Sequence, residues 1–141
     1  LITLPGFFTR RYKLSNDFLP VSGELRMGGS IAYEILMVAL GISQYAVISS
    51  AYLWDITGGL AIIREANCQA LRVNINNNES HWSKISPLVY DWNSGVTKLS
   101  DLRLRTNPML LAPTNYIDEL KNKISRKNNP IKKVVNGIFN S

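Results

Sequence analysis

Between residues 24 and 125, strand-like runs alternate with helix-like runs, and this alternation constrains the fold more than any other feature of the sequence. Residues 24-ELRMGG-29 read as a short strand. Ser30 stands where an N-cap opens a helix carrying Tyr33, Ile35, Leu36, Met37 and Leu40, with Gly41 as its stop. The run 44-QYAVIS-49 is strand-like. A second helix, 56 to 66, is closed by Asn67, a residue that tolerates the left-handed conformation, and a strand follows at 69-QALRV-73. Residues 74-NINNNES-80 read as a polar loop, and 81 to 107, with scattered Trp82, Trp92 and Gly95, as an irregular surface excursion. A last strand at 108-PMLLA-112 precedes a helix opened by Thr114 and carrying Glu119, Leu120 and Ile124. The opening 23 residues, bounded by Pro5 and Pro20, read as a short helix or loop. The fold class is α/β, with helices packed over one sheet.

With 141 residues and 45% hydrophobic content, the chain suits one domain with a substantial core. Its net charge of +6 sits in one place. Lys121, Lys123, Arg126, Lys127, Lys132 and Lys133 follow the last acid, Glu119, and the other ten basic residues balance ten acidic ones. Residues 126–141 therefore read as a basic tail on a neutral body. Nucleic-acid binding calls for basic residues interleaved with stacking aromatics, and the tail offers only Phe139, so no nucleic-acid partner is expected. The twenty uncharged residues from Ile35 to Trp54 are long enough to span a bilayer. Gly41, Ser43, Gln44, Ser49 and Ser50 break them, and no membrane span is expected. One cysteine, Cys68, and one histidine, His81, exclude an internal disulfide and a Cys/His zinc cluster. A cytoplasmic location is expected.

The stretch 52-YLWDITGGLAIIREA-66 places Asp55 at the threshold of the second helix, where an aspartate is a good N-cap. A functional carboxylate is the alternative. Two helix starts, Gly28-Gly29-Ser30 and Asp55 to Gly59, are rich in small residues and would attract anions through free N–H groups, although each glycine alone reads equally as a turn residue.

Taken together, 26-RMGGSIAYEILMVALG-41 and 54-WDITGGLAIIREA-66 resemble the C-terminal half of the inositol monophosphatase-like family of magnesium-dependent phosphatases, and the interval from Arg26 to Asp55 matches the family's spacing. The resemblance covers roughly residues 20 to 125 and is sharpest over 26 to 66. It implies the C-terminal α/β lobe of a layered sugar-phosphatase-type fold, a mixed sheet flanked by helices, over residues 1–125. It implies Asp55 as a Mg²⁺ ligand and Gly29 and Ser30 as contacts to a small phosphorylated metabolite, with Trp54 packing to fix the approach of Asp55. The full-length protein is expected to be a homodimeric phosphatase that hydrolyses a phosphate monoester with metal-activated water. A non-catalytic phosphate-ligand-binding or regulatory role is the alternative.

Departures from the family pattern qualify the substrate. Ile48 stands at the substrate-binding position seven residues before Asp55, where many relatives carry a glutamate that reads sugar hydroxyls, so a sugar or nucleotide phosphate competes with inositol phosphate. Thr57 replaces a small alanine, and Asn67-Cys68 replaces a Gly-Gly turn. The family's other ligands lie in an upstream glutamate and an Asp-Pro-x-Asp-Gly-Thr motif, and neither an Asp-Pro nor an Asp-Gly dipeptide occurs in these 141 residues. One carboxylate does not make a magnesium site, so this chain alone is expected to be inactive.

Overall fold

A computed structural model describes residues 1–5, 8–15, 24–76, 79–85, 103 and 105–127. In chain order the elements are β1 (Ile2–Thr3), α1 (Phe8–Arg11), β2 (Tyr12–Leu14), β3 (Leu25–Arg26), α2 (Ile31–Ala39), β4 (Tyr45–Ile48), α3 (Leu53–Glu65), β5 (Cys68–Asn76), β6 (Glu79–Lys84), β7 (Met109–Pro113), α4 (Ile117–Lys123) and β8 (Ile124–Arg126). Six strands form a mixed sheet in the order β3-β1-β4-β7-β5-β6, parallel on either side of β1 and antiparallel elsewhere. β2 and β8 form a separate antiparallel pair. The expected α/β architecture, a mixed sheet flanked by helices, is the one found.

The sheet is buried on both faces, and the period-2 alternation of its central strands divides the core in two. Tyr45 and Val47 of β4 and Leu110 and Ala112 of β7 pack with Phe8, Tyr12, Ile117, Leu120 and Ile124. Ala46 and Ile48, with Met109 and Leu111, point the other way, against Ile35 and Val38 of α2 and Ile56 and Ile63 of α3. This explains why both strands read as continuous apolar runs.

Helix boundaries follow local chemistry. Ser30 caps α2, its hydroxyl accepting the Tyr33 N–H at 3.5 Å, and Gly41 leaves the helix at φ +71°. Asn67 adopts φ +55° just beyond α3, as its tolerance of that region predicts. Helices α2 and α3 meet at Gly59, where an added Cβ would lie 2.8 Å from Ile35 Cδ1 and 2.9 Å from Ile35 Cγ2. Gly58, one residue earlier, has open space around it.

Several expectations need correction. The opening segment is not merely helix or loop: β1 lies within the sheet between β3 and β4, hydrogen-bonded from Ile2 N–H to Glu24 C=O and from Leu4 N–H to Arg26 C=O. Residues 74–76 and 79–84, read as loop and irregular surface, form the ends of β5 and all of β6. Asparagines there satisfy the ladder through their backbones, which side-chain patterning does not register. Trp82 packs on Tyr12, with ring centroids 6.1 Å apart, and donates its indole N–H to Ile124 C=O at 2.8 Å. Thr114 does not cap the last helix. Its hydroxyl and N–H donate to Asn67 C=O, and α4 starts later, after Tyr116. Ile124 and Arg126 belong to β8, with Arg126 opposite Tyr12, so the chain is still paired where the tail was expected to begin. Trp92, Gly95 and residues 128–141 lie outside the described residues.

The contrast between the two glycines generates a prediction. Gly59→Ala should destabilise the fold by about 1–3 kcal/mol, because Ile35 would be struck close to its own backbone. Gly58→Ala should be neutral or stabilising by up to about 1 kcal/mol, since alanine is the better helix former. Urea denaturation of both variants would measure the difference, and equal midpoints would show that α2 and α3 do not approach at Gly59.

Candidate functional site

Asp55 does not cap α3. The helix begins earlier, at Leu53 after an N-cap at Tyr52, and Asp55 occupies its third position. From there its Oδ2 accepts the Tyr52 N–H at 3.3 Å, the contact an acidic residue at this position makes in a capping box. Leu53 and Trp54 are taken into the first turn. Asp55 itself remains exposed at the positive end of the helix.

The start of α3 is braced from a distant segment. Thr106 N–H donates to Ala51 C=O at 2.7 Å, Ala51 N–H donates to Thr106 Oγ1 at 3.3 Å, and Tyr52 forms an isolated antiparallel bridge with Arg105. The Arg105 guanidinium stands 4.7 Å from the centre of the Tyr52 ring and donates to the Tyr52 hydroxyl at 3.3 Å. Trp54 stacks on the Tyr52 ring at 4.4 Å and 10°. It was expected to pack beneath Asp55, yet it is 59% exposed. It acts on Asp55 only through Tyr52, whose N–H the carboxylate accepts. Thr57, in the place of an alanine, donates its hydroxyl back to Leu53 C=O at 2.6 Å.

At the start of α2 the sequence leads one to expect free N–H groups, and two of them are taken. Glu34 Oε1 accepts from Gly28 N–H at 3.1 Å and from Gly29 N–H at 3.2 Å. The carboxylate lies in a buried position, and a Cβ on Gly28 would fall 2.9 Å from Glu34 Cγ, so Gly28 is what admits it. Gly29 turns the chain at φ +74° into Ser30. Sequence reasoning missed this carboxylate, because an acidic residue in a first helical turn ordinarily faces water and favours the dipole. The pair of glycines six and five residues before it was the available signal.

Ile48, expected at a substrate-reading position, is instead a core residue at 1% exposure, packed among α2, α3 and Met109. Its alternation along β4 dictates this direction, and its side chain presents no surface to a ligand. Asp55 and the Gly29–Ser30 turn are thus the two expected site elements left at the surface, at the starts of two helices that pack on each other. Among the described residues, no three of the His, Cys, Asp and Glu side chains are grouped to hold a metal ion. Asp55 therefore does not make a magnesium site with the residues described. Among these residues no helix is long and apolar enough to cross a membrane.

Comparison with known proteins places this arrangement. The model of the inositol monophosphatase family matches residues 7–111, most of the chain. The chain belongs to that family. A curated relative, the "Probable inositol 1-monophosphatase ImpA" of Mycobacterium tuberculosis, is 36% identical over 63 residues, which is 43% of this chain and 23% of that protein. Among solved structures, staphylococcal IMPase-II superposes with a TM-score of 0.52 at 22% identity, covering 86% of this chain and 41% of that one. A structure of inositol monophosphate bound to SaIMPase-II gives the same TM-score at 24% identity and 40% coverage of that chain. These structures establish the likeness of fold. This member of the inositol monophosphatase family spans about two fifths of the solved relatives' length and less than a quarter of the mycobacterial relative's.

Glu34 carries a pH dependence with a definite sign. Burial raises its carboxyl above the ordinary value of 4.5, against the opposing pull of the Gly28 and Gly29 N–H groups. Between the ordinary and the folded value the folded chain binds more protons than the unfolded chain, so this contribution to stability is complete below 4.5 and is lost as pH rises through the folded value. Glu34→Gln keeps an acceptor for both N–H groups and does not titrate. The variant should therefore gain on the wild type as pH rises from below 4.5 to neutrality, read from denaturation midpoints, and parallel profiles would contradict the assignment.

Proposed function

We propose that this chain contributes to a metal-dependent phosphatase that hydrolyses a phosphate monoester of an inositol, sugar or nucleotide, and that Asp55 is its one carboxylate at the metals. The observation that carries this reading is the family match, joined to the exposed position of Asp55 at the positive end of α3. Asp55 would contribute an oxygen to Mg²⁺, an ion suited to carboxylate and phosphate oxygens, while the Gly29–Ser30 turn would contact the substrate. When bound, such a metal activates water for attack on phosphorus. The remaining ligands would come from polypeptide outside these 141 residues, consistent with the share of the relatives that the chain spans.

A non-catalytic, ligand-binding role is the second reading. It is favoured by the bond that already engages Asp55, since a carboxylate satisfied by Tyr52 N–H serves the helix without any metal.

Two measurements separate the readings. The purified 141-residue chain should release no phosphate from a panel of monoesters in a magnesium-dependent manner, because one carboxylate cannot hold the ion in octahedral geometry. A longer polypeptide containing this chain should do so, and Asp55→Asn should abolish that turnover while leaving the melting temperature nearly unchanged, an amide remaining a competent acceptor for Tyr52 N–H. Turnover retained in the variant would leave Asp55 as a helix-stabilising residue alone.

A further inference from the structure

The least expected group near the candidate site is Glu34. Its carboxylate comes from within α2, reaches back over the preceding turn, and takes both N–H groups of Gly28 and Gly29 on one oxygen. These are the donors that a helix start would otherwise offer to an anion. Two features show that the contact is built in. The residue is only 7% exposed, and Gly28 lacks the Cβ that would collide with Glu34 Cγ. Between the turn and the helix stands Ser30, exposed, with a hydroxyl whose one contact is the long 3.5 Å bond accepted from Tyr33 N–H, so its proton is available to an outside acceptor.

We infer that Glu34 determines which part of a ligand the Gly28–Ser30 turn accepts: it bars anionic oxygens from the two glycine N–H groups and leaves Ser30 Oγ to a neutral, hydroxyl-bearing part. The inference rests on reading Gly29 and Ser30 as ligand contacts. It deepens that reading by assigning the ester's polyol portion, and not its phosphate, to this turn. Two physical effects act together. The donors are occupied, so an entering anion would have to displace a charge-assisted pair of bonds. The occupant is itself negative, so a second anion within a few ångströms is repelled, and more strongly where water is partly excluded. A neutral hydroxyl meets neither obstacle and can accept the Ser30 proton. The phosphate is thereby directed elsewhere, toward the start of α3.

Sulfate tests this without any catalytic step, because its charge is constant across the useful pH range and it needs no metal. With the 141-residue chain labelled with ¹⁵N, at neutral pH and constant ionic strength, the Gly28 and Gly29 amide resonances of the wild type should not move saturably with sulfate. Glu34→Ala bares both donors, and its glycine amides should shift saturably, with a half-saturation at least tenfold below any wild-type response. Glu34→Gln keeps the bonds and removes the charge, and it should respond between the two. A wild type that saturates like Glu34→Ala, or sulfate-insensitive glycines in both variants, would overturn the inference. Should Glu34→Ala lose its resonance dispersion, Glu34→Gln decides: a stronger response than the wild type supports exclusion by charge, and an equal one overturns it. An absence of phosphatase activity in every form, with the sulfate pattern intact, would overturn the proposed function and leave the role of Glu34 standing.

Discussion

The rest of the molecule depends on the complete burial of β4 and β7 on both faces. The alternating directions of their side chains put Tyr45, Val47, Leu110 and Ala112 into one core and Ala46, Ile48, Met109 and Leu111 into the other. At roughly 25 cal/mol per Å² of apolar surface, these two strands make the largest contiguous contribution to stability that the sequence offers. Helices α2 and α3 are held against the sheet by the second core, and their starts carry Ser30 and Asp55. A site element on a short helix is only as well placed as the packing beneath it, because isolated helices of nine and thirteen residues are marginal in water.

That dependence explains what could be read from the sequence. Elements with strong local signals were legible: Ser30 as a cap, Gly41 and Asn67 as exits, β4 and β7 as apolar runs. Elements whose identity is fixed by distant partners were not. β1 is two residues long and exists because β3 and β4 lie beside it, and β6 pairs polar residues through their backbones alone. Thr114 has the chemistry of a cap and spends it on Asn67, a partner 47 residues away. The family resemblance, which rests on 26 to 66, was legible for the same reason as the helices, since its motifs are local.

The candidate site divides in the same manner. Asp55 was singled out correctly as an exposed carboxylate at a helix start, though its position within the helix was misjudged by three residues. A side chain at the third helical position reaches back to the cap, and the pattern Trp-Asp alone does not say which residue is the cap. Ile48 was placed by its distance from Asp55 along the chain, whereas its direction is set by the pleat of β4. Glu34, Arg105 and Thr106 act on the two helix starts through contacts that no spacing rule contains. Arg105 and Thr106 come from a segment more than fifty residues away from Ala51 and Tyr52, which makes the geometry around Asp55 sensitive to residues far from it in the chain.

The strand order has a consequence for how the molecule is made. β7 lies between β4 and β5, yet it is the last of the three to be synthesised. A ribosome-bound chain that has emerged as far as β6 carries β4 and β5 with a vacant lane between them, each presenting unpaired N–H and C=O groups to its surroundings. The β2 and β8 pair waits longer still, since it joins residues 12–14 to residues 124–126. The nascent chain therefore passes through an interval in which its most apolar strands have exposed edges, a state open to pairing with neighbouring nascent chains and attractive to chaperones. Whatever else its function demands, this sheet can close only at the end of its own synthesis.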